Sequence, residues 1–274
     1  MDTTRAETRP GIERPRRRRG IYLLPNLFTT AALFAGFYGI VAAMAGRYEA
    51  AAVAIYIAMV LDGLDGRVAR LTKTTSEFGV QYDSLSDMVS FGLAPALIMY
   101  LWALEDMGSL GWVPAKLGWL AAFAYAACTA LRLARFNVQT GSSDKRYFIG
   151  LPCPSAAAVM MGLVWVGDDL GVKGNQLMWI AFAITIGSAA LMVSNVLYAS
   201  FKEFDVRNRI PFVAAAVIVL AFVLASIDPP KVLFGGFLMY LLSGPLHMLV
   251  RRRRRARRIE LARKTEPPRS DQKP

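Results

Sequence analysis

Eight apolar runs, each near the length that crosses a bilayer, constrain this chain more than any other feature. They fall at roughly 25–45, 49–70, 80–104, 117–136, 151–167, 176–198, 210–226 and 231–250. A helix of about 20 apolar residues spans the hydrocarbon core. In lipid, only helices or closed barrels satisfy every backbone donor and acceptor. Runs of helix length therefore predict an all-α integral membrane protein with about eight transmembrane helices. They remove the soluble one- or two-domain reading that 274 residues would otherwise allow. The first run is not read as a signal peptide: Leu23 to Ala45 is long for one, and seven runs follow.

The formal net charge of +12 raises nucleic acid or an anionic membrane surface as partners. Its placement decides between them. Residues 1–20 carry +4 and residues 251–274 carry +8, while 21–250 holds fourteen basic and fourteen acidic residues. The excess sits in two short tails around a neutral apolar body, which argues against nucleic acid. The expected layout is a basic cytoplasmic tail at 1–20, a transmembrane catalytic domain at 21–250 and a basic cytoplasmic tail at 251–274. With eight spans, both tails and the loops near 67–78, 132–150 and 201–209 share one side and hold 28 of the 32 Lys and Arg. Only Arg47, Lys116, Lys173 and Lys231 fall on the other. Basic loops stay in the cytoplasm, so both termini are expected there, in the cytoplasmic membrane. The run Arg251–Arg258 extends the last helix by a turn or two and rests on anionic inner-leaflet lipids.

Cys128 and Cys153 lack metal-type spacing and read as small apolar packing residues. His247, the only histidine, reads as an interfacial group near the cytoplasmic end of the last run.

Four carboxylates carry the chemistry. Asp62 and Asp65 interrupt the second apolar run, and Asp83 and Asp87 open the third. Charged groups in a span are costly and mark function. Positions 62 and 65 are i, i+3, and 83 and 87 are i, i+4, so each pair shares one helix face. A short cytoplasmic loop joins the two spans, so the pairs lie at similar depth and can converge. Their oxygens suit two hard divalent ions about 4 Å apart, and the lack of nearby Cys or His disfavours zinc. Gly63, Gly66 and Gly79 clear side chains from the same surface. Such a cage serves phosphoryl chemistry, with one carboxylate as general base. An ion-coupled transporter is the non-enzymatic alternative. It would need carboxylates near the midplane and two related halves, and this chain has neither.

The pattern Asp62-x2-Asp65-Gly66-x2-Ala69-Arg70-x8-Gly79-x3-Asp83-x3-Asp87 resembles the signature of the CDP-alcohol phosphatidyltransferases at all eight fixed positions. The resemblance implies a homodimer whose protomers have a six-helix core, here with two further helices. It implies a divalent-metal enzyme, using Mg2+ or Mn2+, that attacks the β-phosphate of a CDP-linked lipid and releases CMP. Asp62, Asp65, Asp83 and Asp87 would hold two metals, with Asp87 also the base. Gly66, Ala69 and Gly79 would make room for cytidine, with Arg70 in or beside that site.

Flanking residues narrow the branch. Pro-Asn-Leu-Phe-Thr at 25–29, Ser-Leu-Ser-Asp-Met-Val-Ser-Phe-Gly-Leu-Ala-Pro at 84–95, Leu-Arg-Leu-Ala-Arg-Phe-Asn at 131–137 and Phe-Ile-Gly-Leu-Pro-Cys-Pro at 148–154 resemble the membrane-integral branch that uses CDP-diacylglycerol and L-serine. One departure is Ala32, where that branch often has Asn. Asn26 and Thr29 either contact the phosphates or cytidine or cap the first helix. Arg132 and Arg135, with Asn137, either receive the serine carboxylate or anchor the cytoplasmic end of the fourth span. Pro152 and Pro154 shape entry into the fifth. An acceptor such as glycerol 3-phosphate or an inositol phosphate would keep the aspartates and change the basic residues.

Overall fold

The computed structural model describes residues 23–72, 76–138, 147–199, 220, 223–224 and 226–265. The first two helices, α1 (Leu23–Met44) and α2 (Tyr48–Thr72), form an antiparallel hairpin. Gly46 adopts φ 72° in the turn, and the N–H groups of Gly46 and Arg47 close α1 on the carbonyls of Ala43 and Ala42. A left-handed residue just after a helix is where glycine is favoured. The facing surfaces are built from alanines: Ala42 and Ala43 on α1, and Ala51, Ala52, Ala54 and Ala58 on α2, are all buried. Small side chains let membrane helices approach closely.

The third apolar run is one helical rod, Glu77–Leu110, longer than the predicted 80–104. Ser76 caps it, its hydroxyl accepting from the Gly79 N–H at 3.0 Å. The rod is not uniform. Regular helix α3 (Glu77–Asp87) passes into a π turn at Met88–Leu93, then α4 (Ala94–Met99), a second π turn at Tyr100–Leu104 and a 3₁₀ turn at Glu105–Leu110. Pro95 explains part of the first irregularity. It has no N–H to offer the carbonyl of Phe91, four residues earlier. The buried Tyr125 hydroxyl donates to that carbonyl instead, at 3.0 Å.

Beyond the rod come α5 (Trp112–Val138), strand β1 (Tyr147–Ile149), α6 (Cys153–Asp169), α7 (Gly174–Val193), strand β2 (Leu197–Ala199) and α8 (Pro229–Thr265). Helix α6 is nearly encased, with Cys153, Ala156–Met161 and Val164 almost fully buried. The Tyr56 hydroxyl of α2 donates to its Ala158 carbonyl at 2.7 Å, and the Tyr56 ring meets Trp165 of α6 and Phe237 of α8.

Among the described residues the fold is thus all-α apart from one two-stranded ribbon, and it carries several membrane-length apolar helices. Among the described residues four helices are long and apolar enough to cross a membrane: Asn26–Met44, Glu77–Leu110, Trp112–Val138 and Gly174–Val193. Seven of the eight predicted runs are helical in whole or large part. The run at 210–226 lies outside the described residues except for a few positions, as do the tail 1–20 and residues 266–274.

Two expectations change. The sixth run, read as 176–198, is helical only to Val193. The Ser194 hydroxyl donates to the Leu191 carbonyl, the chain turns extended, and Leu197–Ala199 pairs antiparallel with Tyr147–Ile149. The last helix continues to Thr265 rather than fraying soon after Arg258. Residues 251–265 contain no Gly or Pro and are rich in the good helix formers Arg, Ala, Leu and Glu.

The ribbon accounts for the Phe-Ile-Gly-Leu-Pro-Cys-Pro stretch. Gly150 has φ 80°, its N–H donates to the Val196 carbonyl at 2.8 Å, and a Cβ there would strike the Met192 carbonyl oxygen. Leu151 is fully buried and donates its N–H to the Leu191 carbonyl. Tyr125→Phe should lower stability by about 1 kcal/mol, the worth of one buried hydrogen bond. Gly150→Ala should cost more, because a left-handed non-glycine residue alone costs roughly 1–2 kcal/mol and the carbonyl contact adds to it. Thermal unfolding of both variants in detergent tests the order.

Candidate active site

The end of α2 and the start of α3 place the four aspartates. One carboxylate oxygen from each of Asp62, Asp83 and Asp87 lies within 4.8 Å of the other two. All three residues are half-buried, and Asp83 Oδ1 is buried with no hydrogen-bond partner. Two unit charges at this spacing repel by about 3–4 kcal/mol even at an effective dielectric of about 20. A buried carboxylate oxygen without a donor adds a desolvation cost. A hard cation relieves both, and an all-oxygen donor set suits a divalent ion of the magnesium or manganese type. The residues present therefore fit a metal.

Asp65 stands apart from the group of three. It is buried, and its Oδ2 accepts from the buried Thr29 hydroxyl of α1 at 2.7 Å. Thr29 is the residue expected to meet phosphate or cytidine or to cap α1. Its donor is spent on a carboxylate, and it lies well inside a helix that begins at Leu23.

Beside the carboxylates the surface is open. Gly63 and Gly66 are exposed, and a Cβ on either would meet no atom within 4 Å. Gly66 and Ala69 follow Asp62 by four and seven residues, on the same helix face. Arg70 turns back along this face, its Nε donating to the Gly66 carbonyl at 2.8 Å. Gly79 faces α1: a Cβ there would lie 3.1 Å from Ser76 Oγ and 3.7 Å from Asn26 Oδ1. Asn26 is thus brought near Gly79.

The C-terminal end of α5 supplies the third wall. Although Arg132 and Arg135 share a helix face, they reach different partners. Arg132 Nη1 donates to the buried Cys153 thiol at 3.3 Å, and its Nε is buried without a partner. Arg135 Nη2 donates to Asn195 Oδ1 at 3.1 Å. Asn137 Nδ2 donates to Ser84 Oγ at 3.0 Å, next in sequence to Asp83. Cys153 is within Coulombic range of both Arg132 and Asp87, so the α5 arginine and the carboxylates border one region. Arg132 is likewise within range of Tyr240 on α8. Sequence reasoning passed over Ser84 and Asn195 and took Cys153 only as packing. Ser84 and Cys153 lie inside motifs already noted, whereas nothing in the sequence marks Asn195 or Tyr240.

The sequence model of the CDP-alcohol phosphatidyltransferase family matches residues 22–187. The chain belongs to this family. Its matched region contains all four aspartates and the arginines of α5. The chain is 35% identical to a CDP-diacylglycerol–serine O-phosphatidyltransferase from Helicobacter pylori, over 84% of this chain and 94% of the relative. The protein of the same name from Mycobacterium bovis is 32% identical over 85% and 82% of the two chains. That from Bacillus subtilis is 30% identical over 68% and 94%. Membership agrees with the membrane-length helices and with an acidic group able to hold a metal.

Replacing Asp83 by Asn removes one charge from the group while keeping its shape. Mn2+ binding to metal-stripped Asp83→Asn protein, read from the free-ion electron paramagnetic resonance signal, should weaken at least about tenfold, equivalent to roughly 1.4 kcal/mol. Glu77→Gln, in the first turn of α3 and outside the group, should leave binding unchanged.

Proposed function

We propose that this protein transfers the phosphatidyl group of CDP-diacylglycerol to the hydroxyl of L-serine, giving phosphatidylserine and CMP. The observation that carries the reading is the half-buried group Asp62, Asp83 and Asp87, with the orphaned Asp83 oxygen, beside the open Gly66 surface. The relatives bearing the serine-transferase name support the acceptor.

In this reading Asp62, Asp65, Asp83 and Asp87 together hold two divalent cations, Mg2+ or Mn2+. Bound there, the cations neutralise the pyrophosphate and the charge that develops on it in the transition state. The cytidine lies along Gly66, Ala69 and Gly79, with open space beside Gly66. Asn26 offers its amide at the Gly79 side, and Arg70 lies along the Gly66 backbone. Thr29, one helical turn from Asn26, adjoins the donor site with its hydroxyl on Asp65. Arg132 turns its unpartnered Nε to the serine carboxylate, while Arg135 and Asn137 order the surrounding wall. Asp87 removes the serine hydroxyl proton as the oxygen bonds to the β-phosphorus. The bond from that phosphorus to the bridging oxygen breaks, and CMP leaves.

The basic loops and tails orient the chain with both termini and the site on the cytoplasmic side of the cytoplasmic membrane. That depth lets a lipid donor enter from the inner leaflet and a water-soluble acceptor from the cytoplasm. The tails rest on anionic lipids, and the catalytic domain, 21–250, works as a homodimer.

Purified protein given CDP-diacylglycerol, Mn2+ and a panel of alcohols should release CMP with serine. Release only with glycerol 3-phosphate or an inositol phosphate would reject the serine branch. Asp87→Asn should reduce turnover by at least about 100-fold, within the range for loss of a general base, while CDP-diacylglycerol still binds. Arg132→Ala and Arg135→Ala should raise the KM for serine far more than that for the CDP-lipid, with the larger change at Arg132.

A further inference from the structure

The aspartates sit on two helices, and something must set the distance between them. Their own charges drive them apart. Among the described residues, two consecutive residues of α1 hydrogen-bond to these helices, Thr29 to both and Thr30 to α3. The Thr29 hydroxyl donates to Asp65 Oδ2 at 2.7 Å, a bond to α2. The Thr29 carbonyl accepts from the Ser86 hydroxyl at 3.1 Å, a bond to α3 beside Asp87. The Thr30 hydroxyl donates to the Asn26 carbonyl at 2.7 Å, which leaves its oxygen to accept from the Tyr82 hydroxyl, 2.9 Å away and next to Asp83. One turn further on, the Ser90 hydroxyl donates to the Ala32 carbonyl at 3.1 Å. Gly36 leaves the room for this approach, since a Cβ there would lie 2.6 Å from Ser90 Oγ.

Thr29 and Ser86 are 4% and 3% exposed, so water does not compete for these bonds. A hydrogen bond to a charged carboxylate is also stronger and shorter than a neutral one.

We infer that Thr29 is a positioning residue that acts through both faces of one peptide unit: its hydroxyl orients Asp65 and its carbonyl, through Ser86, sets the height of Asp87. This rests on the metal-site reading above and says which side chain outside the carboxylate set makes that site. Groups that orient a metal ligand typically change affinity by about 10–100-fold when removed.

Mn2+ titration of metal-stripped, full-length protein, followed by the free-ion resonance signal, tests it independently of turnover. Thr29→Val should weaken binding at least about tenfold, and Thr29→Ser, which keeps the hydroxyl, should stay within about threefold of wild type. In an Asp65→Asn background Thr29→Val should add less than about twofold, because a residue acting through Asp65 has nothing left to orient. Ser86→Ala, which leaves the Thr29 hydroxyl in place, should weaken binding at least about threefold, and it keeps the test open if Thr29→Val fails to fold. The inference is overturned if Thr29→Val or Ser86→Ala binds Mn2+ like wild type. It is also overturned if the Thr29→Val and Asp65→Asn losses add in full, or if Thr29→Val raises only the KM for CDP-diacylglycerol. A wild-type protein that binds Mn2+ with this pattern yet releases no CMP with serine overturns the proposed acceptor and leaves the positioning role standing.

Discussion

Three carboxylates held within 4.8 Å in a partly dry setting are the constraint around which this molecule is arranged. Left alone they repel, and at least one oxygen lacks a donor. A fold that brings them together needs contacts strong enough to oppose that repulsion and a cation to complete the site. Both requirements shape the helices nearby. The alanine-rich α1–α2 hairpin is close-packed, and α3 is capped sharply at Ser76. The lining beside the carboxylates is glycine and alanine, so a charged phosphate ester can approach where bulkier residues would stand.

Hydroxyl-to-carbonyl bonds recur because two apolar surfaces gain little from each other inside lipid, where close packing and interhelical hydrogen bonds do the holding. Tyr56 to Ala158, Tyr125 to Phe91, Ser86 to Thr29, Ser90 to Ala32 and Tyr198 to Leu241 each tie one helix or strand to the backbone of another. The buried Ala32 takes its place in this scheme through its carbonyl. The π turn after Asp87 belongs to the same logic. It lies just beyond the last carboxylate, and Tyr125 donates to the Phe91 carbonyl, which Pro95 cannot serve.

Much of the site was legible before the fold. The spacing of Asp62, Asp65, Asp83 and Asp87 places each pair on a helix face, and a short loop between two spans brings the faces together. The glycine at 66 sits beside open space, whereas a Cβ at Gly79 would meet Ser76 Oγ at 3.1 Å. What spacing cannot reveal is which of four like residues takes which partner. Asp65 differs from Asp62 only in turning toward α1, and that depends on where Thr29 comes to rest. The arginines of α5 show the same limit: i, i+3 spacing puts them on one face, yet their partners, Cys153 and Asn195, come from segments 21 and 60 residues away. The ribbon was hidden because Leu197 and Tyr198 continue an apolar run, and periodicity alone does not end a helix where Ser194 does.

The sequence by itself determined the helical, membrane-embedded class, the family and the aspartate set, because length, hydropathy and the i, i+3 and i, i+4 spacings are local properties that survive without tertiary contacts. The tertiary structure decided that three aspartates converge while the fourth is held by Thr29, that Asn137 reaches Ser84, and that Arg132 keeps an unpartnered nitrogen. Those outcomes depend on the approach of helices distant in sequence, where a carbonyl or hydroxyl from a neighbouring segment, not a residue's own surroundings in the chain, sets the direction of each side chain.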